Sequence, residues 1–139
     1  MDKSERKIRV LVAKPGTDSH YRGAEVICQM LRNAGMEVIY TGRYQTSEMI
    51  VNAAIAEDVD VACLSSLAWS QEKYYIEVAN MLKDQGSDIC VVGGGIISKK
   101  AIPKLLEAGV TGLYGPGTPN QEIIDHIVER VKKERWQEN

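Results

Sequence analysis

Residues 8–23 read Ile8-Arg9-Val10-Leu11-Val12-Ala13-Lys14-Pro15-Gly16-Thr17-Asp18-Ser19-His20-Tyr21-Arg22-Gly23. The run from Ile8 to Ala13 is almost continuously apolar, as a central parallel strand must be when helices cover both of its faces. Pro15-Gly16 breaks it, a short polar loop carries Asp18 and His20, and Gly23 opens a helix. In a parallel α/β sheet this order puts an imidazole, with a carboxylate two residues before it, at the carboxyl edge of a strand. Ligands of open α/β sheets collect at that edge.

The same strand, loop and helix pattern repeats along the chain. A first helix over Arg22–Ala34 has Ala24, Ile27, Cys28 and Leu31 at helical spacing and stops at Gly35. Strand two is Glu37–Tyr40, and Thr46 or Ser47 caps a second helix with Ile50, Val51, Ala54 and Ile55 as its apolar face. After the turn Asp58-Val59-Asp60, strand three (Val61–Leu64) stops at Ser65-Ser66, and a helix over Gln71–Gln85 is closed by Gly86. Strand four (Ile89–Val92) ends in Gly93-Gly94-Gly95, and Ser98 caps a helix over Lys99–Ala108 that holds Pro103 in its first turn and ends at Gly109. Strand five (Gly112–Tyr114) runs into Gly115-Pro116-Gly117-Thr118. The last helix, Asn120–Arg135, lines up Ile123, Ile124, Ile127, Val128 and Val131, with a tail through Trp136 expected to fray.

Five such units predict a flavodoxin-like (Rossmann-like), doubly wound α/β fold: a five-stranded parallel sheet of order 2-1-3-4-5 with helices on both faces. The expected layout is a flexible leader at 1–6, a single domain at 7–135 and a frayed tail at 136–139. Right-handed crossovers then bring the ends of strands one, three, four and five to one edge. The small and polar residues are concentrated at that edge.

Composition narrows the function. Net charge is −2 over 139 residues with both signs interspersed, so no basic stripe points to nucleic acid. No apolar run approaches the ~20 residues that span a bilayer, and the polar start is not a signal peptide; a cytoplasmic protein is expected. Cys28, Cys63 and Cys90 sit inside apolar segments and read as reduced core thiols.

Several chemistries can be set aside from local sequence. The glycine triplet lacks the Gly-Lys-Ser/Thr of a P-loop, and no Gly-x-Gly-x-x-Gly follows strand one. A tight turn needs only one or two glycines; the third suggests that something large approaches the backbone. Ser65 and Ser66 lack a Gly-x-Ser-x-Gly elbow, so hydrogen bonding or capping suits them better than nucleophilic attack. A phospho-receiver would want an Asp where strand three ends in serines, and Pro-Gly-Thr-Asp-Ser-His is a poor flavin-phosphate loop. His126, in the last helix, reads as a surface residue. His20 alone would read the same way, but Asp18 can accept the ring N–H opposite a metal, fixing the tautomer and raising basicity. Lys14 can pair with Asp18 and keep it ionised.

Asp18-x-His20-x-x-Gly23, Ser65-x-Leu67 and Gly94-Gly95, in this order and fold position, resemble the signature of base-off/His-on cobalamin-binding domains. Lys14-Pro15-Gly16, Arg22-Gly23-Ala24, Gly35-Met36-Glu37-Val38, Tyr40-Thr41-Gly42, Gln45-Thr46 and Gly115-Pro116-Gly117-Thr118 are similar to the methylmalonyl-CoA mutase group within that superfamily, over essentially residues 7–130.

The resemblance implies adenosylcobalamin as cofactor, with His20 as lower axial cobalt ligand in place of the cofactor's own dimethylbenzimidazole. Asp18, with Lys14 behind it, would tune that imidazole. It also implies that Thr17, Ser19, Tyr21, Arg22 and Gly23 meet the cofactor. Ser65 would hydrogen-bond the displaced base, with Leu67 and Trp69 beside it. Gly94 and Gly95 would leave room for the nucleotide tail, and Tyr114, Gly115, Gly117 and Thr118 would line its far end. The implied reaction is a radical carbon-skeleton rearrangement of an acyl-CoA, and the implied partner is a large (β/α)8-barrel subunit that binds the CoA ester, this chain being the stand-alone small subunit. Ser19 and Tyr21 stand where the group usually has Gly and Asp, and Ala68-Trp69-Ser70-Gln71 where it has small residues. These departures favour isobutyryl-, 2-hydroxyisobutyryl- or ethylmalonyl-CoA over methylmalonyl-CoA. The alternative is a corrinoid carrier or sensor without mutase activity; such proteins usually place a helical bundle ahead of the domain, which residues 1–6 cannot form.

Overall fold

The computed structural model describes residues 7–14, 22–42, 45–66, 72–95, 97–115 and 117–136. Its strands are β1 (Arg9–Ala13), β2 (Glu37–Tyr40), β3 (Val61–Ser66), β4 (Cys90–Gly95) and β5 (Val110–Tyr114). Its helices are α1 (Arg22–Asn33), α2 (Ser47–Ala56), α3 (Glu72–Asp84), α4 (Ile102–Ala108) and α5 (Asn120–Glu134). The strands pair in parallel in the order 2-1-3-4-5, as the alternation of elements predicts.

Successive side chains of a strand point to opposite faces, so the sheet carries two cores. On one face Val10, Val12, Val61, Cys63, Cys90 and Val92 meet Ala24, Cys28 and Leu31 of α1 and Ile123, Ile127 and Val131 of α5. On the other, Leu11, Ala13, Leu64, Val91 and Val110 meet α2, α3 and α4 through Ile50, Val51, Tyr75, Val78, Leu82 and Leu105. Each fully buried aliphatic side chain contributes about 1.5–3 kcal/mol, and a slip of one residue would move every one of these groups to the opposite face, against helices shaped for other side chains.

Four local expectations are corrected. β3 does not stop at Leu64 but runs on through Ser65 and Ser66, which pair with Gly94 and Gly95, so the glycines extend β4, since a ladder uses only backbone groups. Ser98 does not cap α4, which starts at Ile102 with Pro103 in its first turn and no side-chain cap; the Ser98 N–H instead donates to Glu72 Oε1 at 2.8 Å. Ile55 is 40% exposed, off the buried stripe of α2. The end of α5 does not fray at Trp136, which is buried against the α1/α5 core. Beside it Arg135 donates to Asp60 Oδ1 and the Val59 carbonyl, both at 2.7 Å, and to Asp88 Oδ1 at 3.0 Å. The polar composition of 132–135 concealed these partners.

Of the two candidate caps for α2, Thr46 is used: its Oγ1 accepts from the Met49 N–H at 3.1 Å, while Ser47 Oγ donates to Glu77 Oε2 at 2.7 Å. All three cysteines are free and buried, as expected. None of the described helices is long and apolar enough to cross a membrane.

Candidate functional site

The site lies where the α1/α5 core runs out. Along β3, Cys63 and then Ser65 face α1 and α5; along β4, Val92 and then Gly94 do so, and Ser65 is the register partner of Gly94. Large side chains fill the layer up to Cys63 and Val92. Beyond them a hydroxymethyl group and a bare α-carbon leave a cavity of about 300 Å³, the lower end of the range for small-molecule sites. Ser65, Gly94 and Gly95 form its floor, and Tyr114, Gly115, Gly117 and Thr118 its far wall. Val26 and Ile27 of α1 face Asn120 and Ile123 of α5 across it.

Each glycine of the triplet has its own reason. Gly93 points to the opposite face, where an added Cβ would lie 3.0 Å from Cδ2 of Tyr75. The Tyr75 ring takes that space and its hydroxyl donates to the Gly94 carbonyl at 2.8 Å, fixing the strand from behind. A Cβ on Gly94 would come within 3.3 Å of the Tyr114 carbonyl. Gly95 has φ +99°, a conformation that only glycine adopts at low cost.

A register shift in the β4–β5 ladder between Val92 and Gly94 accompanies positive φ at Gly112 and Leu113. Such an irregularity re-aims the side chain that follows it. Here the Tyr114 ring lies over Gly112, whose added Cβ would sit 2.7 Å from Cε2 of that ring. His126 meets the ring edge-on, with centroids 5.9 Å apart and planes at 80°. Its Nε2 is 2.8 Å from Thr111 Oγ1, which accepts from Arg130 Nη1 at 2.6 Å; Thr111 therefore has its own proton to offer the imidazole. Burial, with Arg130 second, holds the His126 pKa below its ordinary value and the ring neutral. His126 is thus a half-buried brace for Tyr114; the surface reading does not hold.

Lys14, just beyond β1, is 1% exposed, and its Nζ donates to the Ser65 carbonyl at 3.3 Å. This contact joins the ends of β1 and β3 beneath the cleft. Burial pushes the Cys63 thiol up to about 12, so it stays protonated.

The structure therefore brings seven sequence-predicted residues into one cavity: Ser65, Gly94, Gly95, Tyr114, Gly115, Gly117 and Thr118. Arg22 and Gly23 form the first turn of α1. Thr17, Asp18, Ser19, His20, Tyr21, Leu67 and Trp69 lie outside the described residues. Among the described residues no group of three or more His, Cys, Asp or Glu side chains could hold a metal ion. Sequence reasoning missed Val26, Ile27, Cys63, Asn120 and Ile123 as cleft residues. Val26 carried a signal: it is an apolar residue off the buried stripe of α1, and it is 64% exposed.

Residues 8–134 match the family model described as the B12 binding domain. The chain belongs to that family. Among curated proteins, this B12-binding domain is 41% identical over 121 residues to the 2-hydroxyisobutanoyl-CoA mutase small subunit of Aquincola tertiaricarbonis, covering 86% of this chain and 89% of that protein. It is 40% identical over 131 residues to the pivalyl-CoA mutase small subunit of Xanthobacter autotrophicus, covering 94% of this chain and 88% of that protein. A crystal structure of a cobalamin-binding protein from Desulfitobacterium hafniense shares the fold with a TM-score of 0.74 at 19% identity, over 91% of this chain and 60% of that one.

The residues present suit the tail of a B12 cofactor. The cleft is open where side chains are smallest, and the two helices line it with Val26, Ile27 and Ile123 and the amide of Asn120. A planar base and its ribose need such a slot.

Proposed function

We propose that the chain is the cobalamin-binding small subunit of an acyl-CoA mutase, taking adenosylcobalamin with its nucleotide tail in the α1/α5 cleft. The observation that carries this reading is the single cavity that joins Ser65, Gly94, Gly95, Tyr114, Gly115, Gly117 and Thr118 at the carboxyl edge of the sheet, in a chain of the B12-binding family. When bound, adenosylcobalamin supplies radical chemistry by homolysis of its Co–C bond.

The chain's own residues bind and orient. His20, in the stretch between β1 and α1, would ligate the cobalt, and Asp18 would accept its other ring N–H and hold the tautomer. Lys14 secures the end of β1 to β3 through the Ser65 carbonyl. Ser65 offers a hydroxyl to the tail's base, while Val26, Ile27 and Ile123 exclude water from it. Thr17, Ser19, Tyr21, Arg22, Gly23, Leu67 and Trp69 complete the cofactor's surroundings.

The similar proteins are small subunits by name, which supports a large mutase subunit as partner, with a (β/α)8 barrel that binds the CoA ester. Both act on branched acyl-CoAs by name. With the departures at Ser19, Tyr21 and Trp69, this favours a branched acyl-CoA other than methylmalonyl-CoA as substrate.

The test is spectroscopic first. The full chain should bind cobalamin with a base-off spectrum, and EPR of the Co(II) form should show nitrogen coupling from protein imidazole that His20→Ala removes. Coupling that survives this substitution would refute the ligand assignment. A pull-down of the large subunit, followed by isomerase assays over branched acyl-CoAs, then tests the reaction; no turnover of any of them by the complex would refute it.

A further inference from the structure

The cleft has a closed end, and one side chain makes it. Cys63 and Ser65 of β3 point to the same face of the sheet, about 6.6 Å apart along the strand. Ser65 lies near the carboxyl edge and Cys63 one step further in, and both line the cavity. The ladder neighbours of Cys63, Val12 on β1 and Val92 on β4, belong to the packed α1/α5 core. Among the described residues of that layer, Cys63 alone also reaches the cavity, and it is 3% exposed. Beyond it the core continues through Cys28, Leu31 and Ile127. Its thiol stays neutral, since burial pushes it up to about 12, and a neutral thiol is a small, polarizable group that makes only weak hydrogen bonds. With Ile27 and Ile123 on the side walls, the closed end is shaped for an apolar ligand edge.

Resting on the reading of this cleft as the slot for the nucleotide tail, we propose that Cys63 is the specificity-determining residue at its closed end: its side chain sets the depth of the slot and receives the two methyl groups of dimethylbenzimidazole. The base is the last group of the tail, beyond phosphate and ribose, so a tail entering at the carboxyl edge of the sheet brings the base to the deepest residue. Both ring nitrogens lie on the side of the base that carries the ribose, toward Ser65. The methyl-bearing edge is the opposite one and meets the thiol. A pocket fitted to an apolar group distinguishes ligands by single methyl or methylene groups.

The experiment titrates the full-length wild type, Cys63→Leu and Cys63→Ala with two hydroxocobamides, following the corrinoid absorption spectrum. They differ only in tail base, dimethylbenzimidazole or benzimidazole without the methyl groups. Far-UV circular dichroism verifies the fold of each variant. The wild type should favour the dimethyl form about tenfold, the worth of two buried methyl groups. Cys63→Leu fills the closed end and should move the ratio of dissociation constants about tenfold or more toward benzimidazole. Cys63→Ala, which only shortens the side chain, should reduce the preference about threefold by removing the sulfur contact while leaving benzimidazole affinity unchanged; it decides alone if the leucine variant does not fold. A ratio within about twofold of wild type in the folded variants overturns the assignment of Cys63 and leaves the cofactor reading intact. Equal weakening of both cobamides makes Cys63 a core residue only and overturns it too, as does a wild type that binds both equally. A wild-type chain that binds neither cobamide overturns the cofactor reading and this assignment together.

Discussion

The two faces of the sheet are built from the same strands and reach opposite ends. On the face toward α2, α3 and α4 the space at Gly93 is filled: the Tyr75 ring occupies the place of the side chain that Gly93 lacks, at a depth where it is 1% exposed. One residue along β4, on the face toward α1 and α5, Gly94 also lacks a side chain, yet nothing from either helix enters and the cleft remains. Adjacent glycines of one strand thus serve a packed wall and an open slot. The comparison shows that a missing Cβ says nothing by itself about ligand binding; what matters is whether a neighbouring side chain moves into the space.

Removing the filler should have the largest effect. Tyr75→Ala deletes a buried ring and leaves the Gly94 carbonyl without its donor; a loss of about 3–5 kcal/mol in urea unfolding is expected from such a truncation. Retained stability would show that α3 collapses into the gap. On the open face the balance reverses. Gly94→Ala puts a methyl group 3.3 Å from the Tyr114 carbonyl, a strain of about 1 kcal/mol or less in stability. It also narrows the slot, so cobalamin affinity should fall about tenfold or more, a change of at least ~1.4 kcal/mol; spectral titration reads this, and an unchanged affinity would place the tail elsewhere.

The smallest effect concerns the brace behind the cleft. His126 is neutral in the fold with a lowered pKa, so as pH falls the unfolded chain, titrating near the ordinary value of 6.5, takes up a proton first. Stability from this group is complete above about pH 7 and is lost as pH drops below about 6.5 toward the folded value. Glu134, whose carboxyl is also held low by Arg130, acts in the same direction only in the more acidic carboxylate range. The melting temperature should therefore decline between about pH 7.5 and about pH 5.5 in the wild type and more weakly in His126→Gln. Parallel pH profiles would show that the imidazole does not carry the dependence.

The order of strands and the common edge were legible because apolar runs, glycine stops and right-handed crossovers leave few alternatives. The seven cleft residues were legible through family resemblance. Local spacing alone yielded only a histidine beside a carboxylate and an excess of glycine. Other features stayed hidden for identifiable reasons. That Ser65-Ser66 continues a strand depends on pairing with Gly94-Gly95, a contact between distant segments. Trp136 looked like part of a charged tail because Arg135 finds its carboxylates at positions 60 and 88. The role of His126 rests on Thr111 and Arg130, which share no motif with it.

The cleft walls come from α1 and α5, the first and last helices of the chain. This has a consequence for biosynthesis. While the ribosome is still making the α4 segment, β1, β3 and α1 can exist, but the wall containing Asn120 and Ile123 cannot. The slot closes only when the helix that ends at Glu134 docks and Arg135 reaches Asp60 across 75 residues of chain. On the proposed reading of the cleft, cofactor capture is a late event that waits for α5 to dock, and a C-terminally clipped chain should bind cobalamin weakly.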